Sequence, residues 1–286
     1  MDAGMLANIL QPALSRDNVA DDDIVNEDGF RVCAVCGEAK QAWFEVPGLI
    51  PLSKRPRMCK CERDRREAED AEEKRQKLLQ RIEYYRVKGL SDPRYRECTF
   101  ERDDGADRKA GEICKAYVKN WEWVKENNAG LMMWGDVGGG KTFFAACIAN
   151  ALIDQGIQVV MTNIPQLITN MKRNFEAERG NILHMIANVP LLVLDDVGIE
   201  RDTSYSNELA YEILNTRYNA KKPLIVTTNL TMEAIRTIND TTYKRMYERI
   251  IEMCPKPVKV VSTGRRQQAA RSKMEQMMAQ FGLQGE

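Results

Sequence analysis

Gly135-Asp136-Val137-Gly138-Gly139-Gly140-Lys141-Thr142 has the spacing G-x-x-x-x-G-K-[ST], the pattern of a loop that wraps phosphate. A chain that turns back around an anion must aim successive N–H groups inward, and glycines leave room for that approach. Lys141 then supplies charge for the β- and γ-phosphates of a nucleotide, and the Thr142 hydroxyl a ligand for Mg²⁺. Farther on, Leu191-Leu192-Val193-Leu194 runs into Asp195-Asp196. In that arrangement Asp195 holds Mg²⁺ through water and Asp196 polarises the attacking water. Asn229 closes the run LIVTTN (Leu224–Asn229) and can orient the same water, although a plain strand end accounts for it equally well. No N-K-x-D guanine-reading tetrapeptide occurs, so ATP is the expected nucleotide.

A second set of candidate ligands lies upstream. Cys33-Ala-Val-Cys36 and Cys59-Lys-Cys61 flank a segment containing Pro47, Gly48, Pro51 and Pro56. Two close pairs of thiolates make a tetrahedral S₄ set, which suits Zn²⁺. Free thiols or a redox pair are the alternatives, and no βαβ pattern surrounds the C-x2-C to favour redox chemistry. Cys98, Cys114, Cys147 and Cys254 sit among apolar or helical neighbours and read as small hydrophobes. His184, the single histidine, has no ligand-like spacing to any of them.

These residues need positioning elements, and the pattern supplies them. Strand-like apolar runs fall at Leu131–Trp134, Val159–Thr162, Leu191–Leu194, Leu224–Thr227 and Val258–Ser262. Helix-like stretches lie between them, among them Phe143–Asp154, Ile164–Phe175, Ser206–Asn219 and Thr242–Met253. Such alternation predicts an α/β fold whose parallel sheet is buried on both faces. From Glu62 to Lys88 both signs of charge interleave without glycine or proline, which predicts a long solvated helix ending near Gly89 and Pro93. Residues 1–14 have apolar positions at helical spacing, and an acidic linker follows; this short helix can pack on its own domain or meet a partner.

Composition bounds the function classes. With 42 basic and 42 acidic residues among 286, the chain is not a uniformly basic nucleic-acid binder. No apolar stretch reaches the ~20 residues of a membrane span. The first residues lack the basic start and cleavage site of a secretory signal. Cysteines beside a phosphate loop point to a reducing, cytoplasmic setting.

Several blocks in order resemble the DnaC/DnaI/IstB group of AAA+ ATPases. They are DPRYRECTFE (Asp92–Glu101), the phosphate loop, VVMTNIPQLITNMKRNF (Val159–Phe175), LLVLDDVGIER (Leu191–Arg201), YEILNTRYNAKKPLIVTTNL (Tyr211–Leu230) and RMYERIIEMC (Arg245–Cys254). The resemblance implies an AAA+ P-loop core without a separate lid, self-association into rings or spirals, and work on DNA. In the family pattern Asn229 is sensor 1, and Arg249 is an arginine finger reaching a neighbouring subunit, with Arg245 beside it. The sensor-2 arginine falls at Arg265 or Arg266. Asp196 stands where many AAA+ proteins have glutamate, and its shorter arm is expected to slow hydrolysis.

The helix ending Met171-Lys172-Arg173-Asn174-Phe175 matches the pore-lining helix of initiator-type relatives. Lys172, Arg173 and Phe175 would there meet phosphates and bases of single-stranded DNA; an ordinary amphipathic helix with a basic end is the alternative. The tail from Lys256 to Lys273 has six basic residues and no acids, a second candidate track. The expected organisation is a zinc-bearing module and charged helix (1–90), an ATPase domain (91–268) and an amphipathic tail (269–286). The function implied is a loader that delivers the replicative DNA helicase. A transposition ATPase of the IstB type, which remodels duplex DNA and recruits a transposase, is the alternative.

Overall fold

The structure, a computed structural model, describes residues 24–48, 50–173, 176–198, 204–261, 273–278 and 280–281. The expected helix over 1–14, Phe175, Arg265, Arg266 and the side chain of Arg173 lie outside the described residues. Compactness divides the chain into two units between Leu78 and Leu79.

In the first unit, β1 (Ile24–Val25) pairs antiparallel with β2 (Arg31–Val32), and β3 (Gln41–Val46) with β4 (Ile50–Pro56). The sequence marked only a connection where the β3–β4 hairpin forms. Its adjacent Trp43 and Phe44 point to opposite faces and are both exposed, so no apolar alternation announces a strand. Helix α1 (Lys60–Gly89) follows, its solvated face carrying pairs such as Arg65–Glu69 and Glu73–Lys77. Each such pair contributes a few tenths of a kcal/mol. Among the described residues of this unit, the only buried apolar side chains are Cys33 and Cys59. These described residues form no hydrophobic core.

The apolar stripe in the last turns of α1 belongs to the core of the second unit. Ile82 and Tyr85 pack there beside buried Leu90. A Cβ at Gly89 would stand 2.0 Å from the Val159 carbonyl oxygen, so the helix must end on glycine.

In the second unit α2 (Arg108–Lys119) and α3 (Trp121–Glu126) precede β5 (Leu131–Trp134) and α4 (Lys141–Asp154). Then come β6 (Val159–Thr162), α5 (Ile164–Arg173), α6 (Glu176–Asn188), β7 (Leu191–Leu194) and α7 (Ser204–Asn219). The last elements are β8 (Leu224–Thr228), α8 (Met232–Arg236), α9 (Thr241–Met253) and β9 (Val258–Lys259). All five strands of the sheet begin at the residue the sequence indicated, and β9 alone is much shorter than expected. The order is β6-β7-β8-β5-β9, every pair parallel.

Side chains alternate across the sheet. Leu131, Met133, Leu191, Val193 and Ile225 enter a core with α2 and α4, while Met132, Leu192, Leu194, Leu224 and Val226 enter one with α5, α7 and α9. Near-continuous apolar strands are the sequence mark of such two-sided burial. After β9 the described residues contain no lid domain; residues 273–278 are helical.

The second core also encloses a charge. Arg217 on α7 is fully buried, and its guanidinium donates to the carbonyls of Ile186 and Val189 (both 2.8 Å), Pro190 (3.0 Å) and Pro223. The rigid fork of donors spans the end of α6 and the start of β8, a reach one ammonium lacks. Burial pulls its pKa down to about 9, so it stays charged at neutral pH. Removing it strands several buried carbonyls at once, each worth ~1–3 kcal/mol. Arg217→Met is therefore expected to destabilise the second unit by at least ~3 kcal/mol in urea denaturation followed by circular dichroism, with Arg217→Lys recovering less than half. A loss under ~1 kcal/mol would show that the carbonyls find other donors.

Candidate functional site

The phosphate loop leaves β5 and enters α4 under tight backbone constraint. Gly138 and Gly140 have φ of 85° and 96°, left-handed values that cost a side-chain-bearing residue ~1–2 kcal/mol. Gly135 has φ 140°, and a Cβ there would meet the Val260 carbonyl oxygen at 2.3 Å. Gly140 directly precedes α4, whose first residues are Lys141 and Thr142, so N–H groups and the positive helix end face the loop's hollow. Lys141 is buried, and its Nζ donates to the carbonyls of Gly135 (2.8 Å) and Asp136 (2.7 Å). Val137, at the loop's tip, is exposed.

Asp195, one residue past β7, is nine-tenths buried and collects three hydroxyls. Its Oδ1 accepts from Thr142 Oγ1 at 2.8 Å and Thr227 Oγ1 at 2.6 Å, and its Oδ2 from Tyr95 OH at 3.1 Å. Its amide donates to the Thr162 carbonyl at 2.8 Å. Burial, with the Asp195 charge added, pushes the Tyr95 phenol well above its ordinary range. Neither Tyr95 nor Thr227 was singled out from sequence. Tyr95 stood inside the DPRYRECTFE block without a chemical role, and Thr227 lies two residues before Asn229 in a strand that reads as structural.

Asp196 has φ 55°, a left-handed conformation that aspartate tolerates better than most residues. Its amide donates to Thr227 Oγ1 (2.8 Å), and its carboxylate accepts from Asn229 Nδ2 at 2.6 Å. Lys141, Thr142, Asp195, Asp196, Thr227 and Asn229 share one cleft of about 690 Å³ with Arg94, Tyr95 and Arg102. Its size suits a nucleotide.

Arg245 and Arg249 lie elsewhere on the unit. With Tyr211, Tyr218, Glu248 and Glu252 they line a separate hollow of about 400 Å³. The Arg249 guanidinium stacks 4.6 Å from the Tyr211 ring centroid and 5.3 Å from that of Tyr218. Lys172, at the end of α5, donates to Ser206 Oγ at 2.9 Å and lies 5.6 Å from the Tyr205 ring centroid. Cys114, Cys147 and Cys254 are fully buried, and burial pushes their thiols up. His184 is exposed on α6.

In the first unit, the Sγ atoms of Cys33, Cys36 and Cys59 lie within 4.8 Å of one another, and Cys61 follows two residues after Cys59. The Cys33–Glu38 stretch is a tight knuckle: Gly37, at φ 71°, donates its amide to the Cys33 carbonyl. Cys59 directly precedes α1 and Cys61 sits in its first turn, which accommodates the C-x-C spacing. The amides of Cys61 and Glu38 stabilise the Cys36 thiolate, lowering its pKa to about 6, while the Cys36 contact raises Cys61 to about 11. Glu38 links the two halves, accepting from the Lys60 amide, Arg57 (2.8 Å) and Arg63 (3.1 Å). Three converging thiols with a fourth cysteine two residues along the chain, and described residues that bury little apolar surface, fit a structural zinc ion.

The family described as IstB-like ATP binding protein matches residues 66–273. Among curated proteins, the replicative helicase loader DnaC of Buchnera aphidicola subsp. Schizaphis graminum is 28% identical over 162 residues, 54% of this chain and 65% of that protein. The chain thus spans just under two thirds of that relative's length. Among solved structures, a DnaC helicase loader is similar at TM-score 0.52 and 27% identity over 59% of this chain and 100% of the other. A DnaI structure shares the fold at TM-score 0.51 and 24% identity, over 62% of this chain and 95% of the other.

Freshly reduced protein is expected to contain about one zinc per chain by metal analysis. Cys36→Ser should lower that content and open residues 30–62 to proteolysis, since little else holds the unit together. Zinc-free protein with an equally protected first unit would remove the metal centre.

Proposed function

The chain belongs to the IstB-like ATP binding protein family, and from that premise we propose that it is an ATP-hydrolysing loader of the replicative DNA helicase. The observation that carries this reading is the convergence of Lys141, Thr142, Asp195, Asp196 and Asn229 on one cleft. The names of its relatives favour a helicase over a transposase as the partner.

On ATP, the amides of Gly138–Lys141 receive phosphate oxygens. Lys141, now held by two neutral carbonyls, turns to the β- and γ-phosphates, because an anion competes strongly for an ammonium. Mg²⁺ bound there would neutralise charge on the phosphates and the leaving oxygen. Thr142 and Asp195 hold that ion, Asp196 polarises the attacking water, and Asn229 keeps the Asp196 carboxylate and the water in register. Arg249 with Arg245, remote from the chain's own cleft, serves a neighbouring subunit in a ring or spiral, and Arg265 or Arg266 completes the γ-phosphate clamp. The tyrosines beside Arg249 position its guanidinium without neutralising it. Lys172, Arg173 and Phe175 grip single-stranded DNA in the pore. The zinc-bearing N-terminal module, within residues 1–90, holds the helicase, and the tail over 269–286 follows the ATPase domain (91–268).

Size-exclusion chromatography of the full chain with its host's replicative helicase, in Mg-ATP, tests the reading. We expect co-elution, ATP turnover stimulated by single-stranded DNA, and loss of nucleotide binding in Lys141→Ala. Absence of a helicase complex alongside co-elution with a transposase would transfer the protein to the transposition class.

A further inference from the structure

We infer that Tyr95 is a positioning residue for Mg²⁺ binding, setting the orientation of the Asp195 carboxylate from outside the sheet; this rests on the nucleotide reading above. The inference begins with what the carboxylate can still do once its backbone is fixed. The Asp195 amide is pinned to the Thr162 carbonyl, so the remaining freedom is rotation of the side chain. Two hydroxyls act on Oδ1 and one, Tyr95 OH, on Oδ2. Thr142 is the donor that turns away if its hydroxyl becomes an Mg²⁺ ligand. Thr227 then holds one oxygen and Tyr95 the other. A carboxylate gripped at one oxygen swings about that bond; gripped at both it does not. Among the described residues, Tyr95 supplies the only hydrogen bond shown to Oδ2.

Tyr95 is itself fixed. Its ring is buried in the first core, and its carbonyl accepts from Asn150 Nδ2 on α4 at 2.7 Å. The same Nδ2 also donates to the Cys98 and Ala146 carbonyls, fastening the turn that carries Tyr95 to the helix that carries Lys141 and Thr142. Upstream, Leu90 bridges to Met161 and the Ser91 amide donates to the Met161 carbonyl at 3.1 Å. The stretch from the end of α1 to Cys98 is thereby tied to the edge strand β6 and to α4. Its one buried phenol ends at Asp195.

Tyr95→Phe removes the hydroxyl and keeps the ring. We expect its affinity for ATP without Mg²⁺ to match wild type, its melting temperature falling only by what one buried hydrogen bond contributes. The Mg²⁺ concentration needed for half-maximal tightening of ATP binding should rise about tenfold, the scale of one hydrogen bond to a charged group, with excess Mg²⁺ restoring full affinity. A merely structural tyrosine would weaken ATP binding equally with and without Mg²⁺, and that result overturns the inference. An unaltered Mg²⁺ titration overturns it too. Wild-type protein lacking any Mg²⁺-dependent ATP affinity removes the nucleotide reading and this inference with it.

Discussion

A carboxylate buried at the end of β7 has to be satisfied or neutralised. Taking a charge out of water costs several kcal/mol unless hydrogen bonds replace the hydration. Asp195 meets that demand with three hydroxyls drawn from α4, β8 and the turn at Pro93–Glu97. None of the three would reach it in another register. β7 pairs with β8 so that Val193 opposes Ile225 and Leu194 opposes Val226, which brings Thr227 level with Asp195. A slip of one residue would turn Thr227 into the other face of the sheet. The same register brings Asn229 to Asp196. The cleft is therefore a consequence of strand order, and the glycines of the loop only admit the anion to it.

The first unit obeys a different constraint. Among its described residues no apolar side chain is buried beyond two cysteines, so burial of those residues contributes little to its stability. A metal ion held by the cluster of Cys33, Cys36 and Cys59 would supply a stabilisation of the kind small units draw from metals. Glu38 ties the knuckle of Cys33 and Cys36 to the stretch that carries Cys59. Trp43, Phe44 and Leu52 on its hairpin are exposed as well.

Much of the second unit was legible because parallel strands buried on both faces leave near-continuous apolar runs. Their starts at Leu131, Val159, Leu191, Leu224 and Val258 needed no tertiary information. Lys141, Thr142 and Asp195 were proposed from sequence because a glycine-rich loop and an apolar run ending in acids are each local patterns. Tyr95 and Arg217 were not. Each owes its place to partners far away in the chain, a carboxylate 100 residues on for Tyr95 and carbonyls about 30 residues back for Arg217, and such meetings leave no local period. The β3–β4 hairpin was hidden for the opposite reason: with both faces of its Trp43-Phe44 pair in solvent, it has no periodicity to read.

Hydrogen–deuterium exchange of the full chain with and without Mg-ATP tests most directly whether this carboxylate organises a nucleotide site. Slowed exchange is expected together in residues 135–142, 192–197 and 92–98, since loop, strand end and turn meet at Asp195, and no change in residues 31–62. Protection of none of these segments at saturating Mg-ATP, or of the first unit alone, would contradict it.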